Sequence, residues 1–303
     1  MSDAAIPDFS TFKVKELKEY ITTRGGSLAG LAEKGDLINK CKELQSSMPA
    51  MAKAAPTAAG AASGSSAPAG ALPCKTWDSY SSGETPDFVI FLMHGLNADN
   101  SQFDGWGQML LSQPKLKGKK LRVVSPQAGP RPPNTSAWFD LDMMAWFMAF
   151  NGGEAALGVK LREVPGGLTD SGEALRALVK SQMSETGLPL NKIFLGGFSQ
   201  GASAAMEASL GMDGDVGGIL FFSGVPVNVD GWAAGAKKHT GLKILQMHGK
   251  NDPMLPFHTS HWVKDMMSGA GLQVTFQDHD GAHDFGDPNT SLAAVGNFLA
   301  SAL

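Results

Sequence analysis

The stretch that decides the fold is Ile193-Phe194-Leu195-Gly196-Gly197-Phe198-Ser199-Gln200-Gly201-Ala202-Ser203-Ala204-Ala205-Met206. Ile193 to Leu195 are bulky and apolar, as in a buried strand, and the Ala, Ser and Met residues after Gly201 suit a closely packed helix. Between them Gly197-Phe198-Ser199-Gln200-Gly201 fits G-x-S-x-G, the strand-to-helix turn that lifts a serine hydroxyl above a sheet. A serine at the tip of so tight a turn sits in strained backbone. Side chains at the flanking positions would clash, so glycines bracket it. Ser199 is the candidate nucleophile. The backbone N–H of Gln200, at the start of the helix, is the candidate donor to a developing oxyanion.

Outward from this turn, from Pro73 on, strand-like and helix-like segments alternate. Phe88-Val89-Ile90-Phe91-Leu92-Met93 is a continuous apolar run, as a central parallel strand buried on both faces requires. Leu121 to Val124, Ile219 to Ser223, Leu242 to Met247 and Leu272 to Phe276 read as further strands. Asp170 with Glu173 resembles a capping box, after which Ala174, Leu175, Leu178, Val179 and Met183 recur at helical spacing. Trp262 and Met266 mark a later helix, and Leu292 to Leu303 a closing one. Such alternation predicts an α/β architecture, a mostly parallel sheet covered by helices on both faces.

In an open parallel sheet, reactive groups gather in the loops at the C-terminal ends of strands. After Met93 comes His94-Gly95-Leu96-Asn97, where the backbone N–H of Leu96 is the second candidate oxyanion donor. After Met247 comes His248-Gly249-Lys250-Asn251-Asp252-Pro253, which offers Asp252 as the acid; an aspartate before proline also serves simply to start a turn. After the last strand comes Gly281-Ala282-His283-Asp284-Phe285, with His283 as the candidate base. His279, four residues earlier, competes with it, but no third ligand lies at zinc-like spacing. His94 and His248 each precede a glycine and read as structural, their ring nitrogens bonded to backbone; His258 and His261 read as helix-surface residues. The order Ser199, Asp252, His283 is one of the known orders of a nucleophile–acid–base triad.

Six motifs in order now carry a resemblance: Phe91 to Asn97, Arg131-Pro132-Pro133, Trp138-Phe139-Asp140, Gly196 to Gly201, His248 to Pro256, and Gly281-Ala282-His283. Together they resemble the phospholipase/carboxylesterase family, which includes acyl-protein thioesterases and lysophospholipases, over essentially all of residues 86–300. The resemblance implies an α/β-hydrolase fold, a serine nucleophile, no metal or other cofactor, and activity on carboxylic esters or long-chain acyl thioesters. The substrate would then be a lipid, an acylated protein or a small ester. Two departures stand out. Asn97 occupies a position where the family commonly has glycine. Leu141 to Phe150 is strongly apolar where the family usually turns polar, so substrate preference does not follow from the likeness.

That segment, from Trp138 to Phe150, packs Trp138, Phe139, Trp146 and Phe147 among methionines, with only Asp140 and Asp142 charged. It can be a core helix. It can also line or lid an acyl-binding groove, because methionines and aromatics adapt to flexible alkyl chains. In the second case Trp138, Phe139, Trp146 and Phe147 are the substrate-binding residues.

The remaining chain sets the organisation. Residues 1–45 read as a helix–loop–helix unit, with Val14, Leu17 and Ile21 on one helix face and Leu37, Ile38, Cys41 and Leu44 on another. The pattern Val14-Lys15-Glu16-Leu17-Lys18, Arg24-Gly25, Gly30, Lys34 and Leu37-Ile38 resembles a SAP domain. Leu31-Ala32-Glu33 separates Gly30 from Lys34, however, and seven Lys/Arg balance seven Asp/Glu within residues 1–45. A phosphate-binding surface needs a surplus of positive charge, so a protein partner is expected ahead of a nucleic-acid one. Residues 46–72 are nearly all Ala, Ser, Gly, Pro, Met and Thr, a flexible linker that cannot bury enough surface to offset its ordering entropy. Residues 73–303 form the catalytic domain. A net charge of −4 argues against a dominant nucleic-acid role. Two cysteines, Cys41 and Cys74, make no disulfide framework, and neither a secretory signal nor a membrane-spanning run is visible. A cytoplasmic location is expected, with the nucleus as a second one that the SAP-like unit allows. From another class, the alternative function is a scaffold or a protein- or nucleic-acid-binding protein whose hydrolase domain is inactive.

Overall fold

A computed structural model describes residues 13–15, 17–18, 31, 33–47 and 72–303. The chain divides into two compact units, Met1–Ser66 and Ala67–Leu303. In the first, helix α1 (Lys34–Ser47) carries an acidic residue, Asp36, in its first turn, and Asp36 accepts the backbone N–H of Glu33 at 3.0 Å. Its face bearing Leu37 and Cys41 is buried together with Leu17, and the Cys41 thiol points at the Leu17 carbonyl, 3.7 Å away. Ile21, the Arg24–Ser27 turn, Gly30 and residues 48–71 of the expected linker lie outside the described residues.

The second unit is built on one seven-stranded sheet. Its strands are β1 (Cys74–Asp78), β2 (Phe88–Met93), β3 (Leu121–Pro126), β4 (Ile193–Phe198), β5 (Gly218–Phe222), β6 (Lys243–Gly249) and β7 (Gln273–His279). They lie in the order β1-β3-β2-β4-β5-β6-β7. Only β1 runs antiparallel, against β3; all other neighbours are parallel. Every residue of β2, β4 and β5 is buried, because both faces of these strands are covered. Alternate side chains therefore feed two cores. Val89, Phe91 and Met93 point into one, with Trp138, Trp146 and Leu175. Phe88, Ile90 and Leu92 point into the other, with Trp106, Val295 and Phe298.

Helices α2 (Trp106–Leu111) and α9 (Pro288–Ala302) contribute to this second core, and α3 (Met143–Asn151), α4 (Gly153–Arg162), α5 (Leu168–Thr186), α6 (Gln200–Leu210), α7 (Val229–Ala236) and α8 (Phe257–Gly269) to the first. The start of α5 departs from the sequence pattern. The helix begins at Leu168 with Gly167, at φ 81°, as its N-cap, so Asp170 sits inside the first turn and caps nothing. There its carboxylate favours the positive end of the helix. Side-chain caps occur instead at Asp142, which accepts the N–H groups of Met144 and Ala145 before α3, and at Asp287, which accepts that of Thr290 before α9.

Arg122 holds the β1 edge in place. Its guanidinium takes both carboxylate oxygens of Asp78 at 2.8 and 3.0 Å and reaches Glu185 on α5 at 2.5 Å, so the strand is tied by a fork as well as by its ladder. Residues 72–303 expressed alone are expected to unfold in one cooperative transition within about 3 °C of the full chain, the shift that roughly 1 kcal/mol produces in a unit this size. Calorimetry of both proteins measures this, and a larger drop would show that this unit draws stability from the residues before it.

Candidate active site

Ser199 sits between β4, the middle strand, and α6, with φ 55° and ψ −119°. A non-glycine residue in this region is strained, and the turn is held by the Ser199 N–H donating to the Phe222 carbonyl at 2.8 Å. The flanking glycines answer close approach. A Cβ on Gly201 would lie 2.2 Å from the Met93 carbonyl oxygen, and one on Gly197 would lie 2.4 Å from the Gly201 backbone. Any side chain there would drive α6 off the end of β2. Gln200, fully buried, uses its amide on neighbouring backbone: Oε1 accepts from Trp138 N and Nε2 donates to the Phe139 carbonyl, both at 2.8 Å. This use of the side chain was not read from the sequence, since the position after the serine is variable in the motif; its one signal is a long polar residue at the start of a small-residue helix.

The loop after β2 lies against the same turn, since a Cβ on Gly95 would fall 3.6 Å from Ser199 Cβ. Among the described residues, the backbone N–H groups of Leu96 and Gln200 donate to no protein acceptor. Two free donors thus flank the half-buried Ser199. Asn97 explains its own departure from glycine: it lies at φ 58°, a left-handed conformation that asparagine tolerates. Its N–H donates to the Ser136 carbonyl at 2.8 Å, and its Oδ1 accepts the Thr135 N–H at 2.9 Å. The loop is therefore pinned where a glycine would leave it loose.

Asp252 and His283 meet across the ends of β6 and β7. His283 Nδ1 lies 2.7 Å from Asp252 Oδ2; as the carboxylate only accepts, Nδ1 carries the proton and Nε2 is left as an acceptor. The other oxygen, Oδ1, accepts the N–H groups of Met254 and Leu255 at 2.8 and 2.9 Å. The turn-starting role and the bond to His283 thus coexist, one oxygen for each. The Asp252 side chain is fully buried and that of His283 is 18% exposed. Gly249 makes the meeting possible, because a Cβ there would come within 2.0 Å of the Ala282 carbonyl oxygen. The His283 ring lies 4.8 Å, centroid to centroid, from Phe198, the residue before Ser199. Among the described residues neither Ser199 Oγ nor His283 Nε2 makes a hydrogen bond to the protein, so the hydroxyl and the acceptor nitrogen are both uncommitted. His279 does not reach Asp252; its Nδ1 accepts the Gly281 N–H at 3.2 Å.

The apolar segment divides by exposure. Trp138 and Phe139 are core residues, 1% and 0% exposed, and the Trp138 indole donates to the His94 carbonyl at 2.8 Å. Their rings offer no face to a ligand; they brace the turn instead. Trp146 is also buried and lies 5.6 Å from the Phe150 ring. Phe147 is half-buried, while Met144 and Met148, one helical turn apart on α3, are 45% and 58% exposed. A separate groove of about 380 Å³, lined by Leu161, Arg162, Pro226, Trp262, Val263 and Met266 among others, contains none of Leu96, Ser199, Gln200, Asp252 and His283 in its wall.

A mostly parallel seven-stranded sheet wrapped by helices, with a strand–turn–helix elbow on its middle strand, is the α/β-hydrolase fold. The sequence pattern of the phospholipase/carboxylesterase family matches residues 80–303, and the chain belongs to that family. It is 27% identical over 206 residues to acyl-protein thioesterase 1 of Candida albicans, covering 66% of this chain and 85% of that protein. It is likewise 27% identical over 219 residues to acyl-protein thioesterase 1 of Debaryomyces hansenii, covering 71% and 91%. Among solved structures, esterase PE8 superposes with a TM-score of 0.58 at 21% identity over 77% of this chain and 99% of that one. Acyl-protein thioesterase 2 of Zea mays does so with a TM-score of 0.52 at 19% identity over 75% and 98%. The chain is thus a hydrolase of the esterase and thioesterase kind.

Two further histidines are built into the surroundings of the site, and one of them, His248, brings its Nε2 to 3.4 Å from Asp252 Oδ2. His94 is fully buried, with Nε2 accepting the Ala128 N–H at 3.1 Å and Nδ1 against the Gly95 carbonyl at 2.8 Å. His248, also buried, donates from Nε2 to the Leu255 carbonyl at 2.9 Å. Burial holds both rings below the ordinary histidine value. The folded protein therefore binds fewer protons than the unfolded chain once pH drops below about 6.5. Stability is complete above that pH and is lost below it, by up to about 1.4 kcal/mol per pH unit for each ring. Urea midpoints measured between pH 7.5 and 5.5 should fall, and His248→Asn should make the fall shallower; an unchanged slope would clear that ring of the effect.

Proposed function

We propose that the chain is a serine hydrolase that cleaves carboxylic esters or acyl thioesters through an acyl-enzyme on Ser199. The observation that carries this reading is the 2.7 Å Asp252–His283 hydrogen bond beside an elbow whose serine is half-buried and unbonded. Ser199 Oγ attacks the acyl carbonyl while His283 Nε2 takes its proton. Asp252 keeps the proton on Nδ1 and stabilises the imidazolium. The oxyanion accepts the Leu96 and Gln200 N–H groups, a pair of donors each worth about 3 kcal/mol of barrier. His283 then returns its proton to the leaving thiolate or alkoxide, and a water activated by the same nitrogen releases the acid. Acyl-protein thioesterases among the relatives favour a thioester or long-chain ester as the substrate. Cys41 and Cys74 are both free thiols and no helix among the described residues is long and apolar enough to cross a membrane, which fits the expected cytoplasmic place. The charge-balanced N-terminal unit is read as a docking element for a protein.

The acyl chain is assigned to the open face of α3. Trp138 N is bonded to the residue after the nucleophile, and the five residues from there to Met143 span at most about 17 Å. α3 therefore starts no farther than about that span from the Gln200 side chain, and it presents Phe147, Met144 and Met148 rather than the buried Trp138, Phe139 and Trp146.

Ser199→Ala should lower kcat at least about 1,000-fold with the fold intact, and a fluorophosphonate probe should label the unmodified protein and not the variant. Folded protein that takes no label would favour a scaffold with an inactive hydrolase domain. Turnover of p-nitrophenyl esters should rise from acetyl to medium or long acyl chains, each buried methylene contributing up to about 0.8 kcal/mol. Phe147→Ala should flatten that rise more than it lowers acetyl-ester turnover. A flat profile in the unmodified enzyme would leave α3 as ordinary covering structure.

A further inference from the structure

His279 lies at the end of β7, paired in register with Gly249 at the end of β6. It is thus the residue at which the acid-bearing loop and the base-bearing turn leave the sheet together. Its side chain is 9% exposed, and its Nε2 is buried without a hydrogen-bond partner among the described residues. Nδ1 accepts the Gly281 N–H at 3.2 Å, so Nδ1 holds the lone pair and Nε2 the proton. The following turn is folded around the ring from two sides: a Cβ on Gly281 would lie 2.8 Å from Nδ1, and one on Gly286 2.6 Å from Cγ. Gly281 and Gly286 bracket His283.

The backbone of the same residue faces the other way. The His279 carbonyl accepts the Lys250 N–H at 2.8 Å, and the Gly281 carbonyl accepts the Asn251 N–H at 3.1 Å. Asn251 Nδ2 adds a bond to the Asp280 carbonyl at 2.7 Å. One strand end therefore fixes Asp252 from its carbonyl and His283 from its ring. Charge around it is shared among Asp284, whose Oδ1 is 3.7 Å from His279 Nδ1, and Lys250, which pairs with Asp280 and Asp278.

We propose that His279 is a positioning residue for hydrolysis: by accepting the Gly281 N–H it sets the turn that aims His283 at Ser199. This rests on reading His283 as the base. A near miss of about 1 Å in such an arrangement can reduce turnover roughly 100-fold, so the effect falls on kcat rather than on KM.

The test compares two isosteres in the full chain. In His279→Asn the amide oxygen can occupy the place of Nδ1 and keep the acceptor; in His279→Gln the amide extends toward the place of Nε2 and the acceptor is lost. With a p-nitrophenyl ester, His279→Gln is expected to lower kcat by about 10- to 100-fold with KM within about twofold, and His279→Asn to stay within about threefold of the unmodified enzyme. Equal kcat in the Gln variant, or equal losses in both, would overturn the inference. So would melting of either variant below the assay temperature, because the ring would then be a structural prop. His283→Ala separates the two readings. If it retains turnover, the base has been misread and this inference falls with it. If it abolishes turnover while His279→Gln does not, only the role of His279 fails.

Discussion

The contact on which the site depends is the one between backbones at Gly201. Helix α6 approaches the end of β2 so closely that a Cβ at Gly201 would sit 2.2 Å from the Met93 carbonyl oxygen. Nothing but main chain fits into that gap. The consequence is that the first N–H groups of α6 and the loop after β2 are brought side by side, and the free donors of Gln200 and Leu96 flank one serine. A helix N-terminus already favours negative charge; here the packing decides where that preference is aimed. The strained backbone of Ser199 is sustained by the same contact, since the turn cannot relax without moving α6 away from the sheet.

Around this point the structure separates duties with little overlap. Asp252 gives one oxygen to the turn that carries it and the other to His283. His94 is consumed in holding backbone, accepting the Ala128 N–H, while its own carbonyl receives the Trp138 indole. The aromatic rings of Phe198, Phe222, Trp106 and Phe103 gather around Phe285, two residues beyond His283. The turn that bears His283 therefore rests on an apolar footing that water does not soften.

Much of this was legible in the order of residues, and the exceptions have identifiable causes. The central strands announced themselves because burial on both faces forces continuous apolar runs, as in β2 and β4. The edge strand β1 did not, since Cys74-Lys75-Thr76-Trp77-Asp78 is mostly exposed and owes its place to pairing with β3 and to Arg122. Helix α7 was hidden by two glycines in Val229-Asp230-Gly231-Trp232-Ala233-Ala234-Gly235-Ala236, residues of poor intrinsic helicity that tertiary packing overrides. The capping pattern at Asp170 misled because Gly167 can enter the helix through positive φ without any side-chain cap. For the site, residue types and order named the candidates, but exposure is a property of the folded chain. That is why the apolar run from Trp138 could not be divided in advance into rings that brace and rings that face outward.

The Gln200 amide leaves one more mark on the molecule. It grips the segment after the proline-rich loop through the Trp138 N–H and the Phe139 carbonyl, atoms that every non-proline residue possesses. Past Trp138, the attachment is blind to side-chain identity. The stretch that runs into α3 is therefore mounted like a replaceable fitting on a fixed socket, so its surface can be recut while Ser199 and the two free donors beside it keep their alignment.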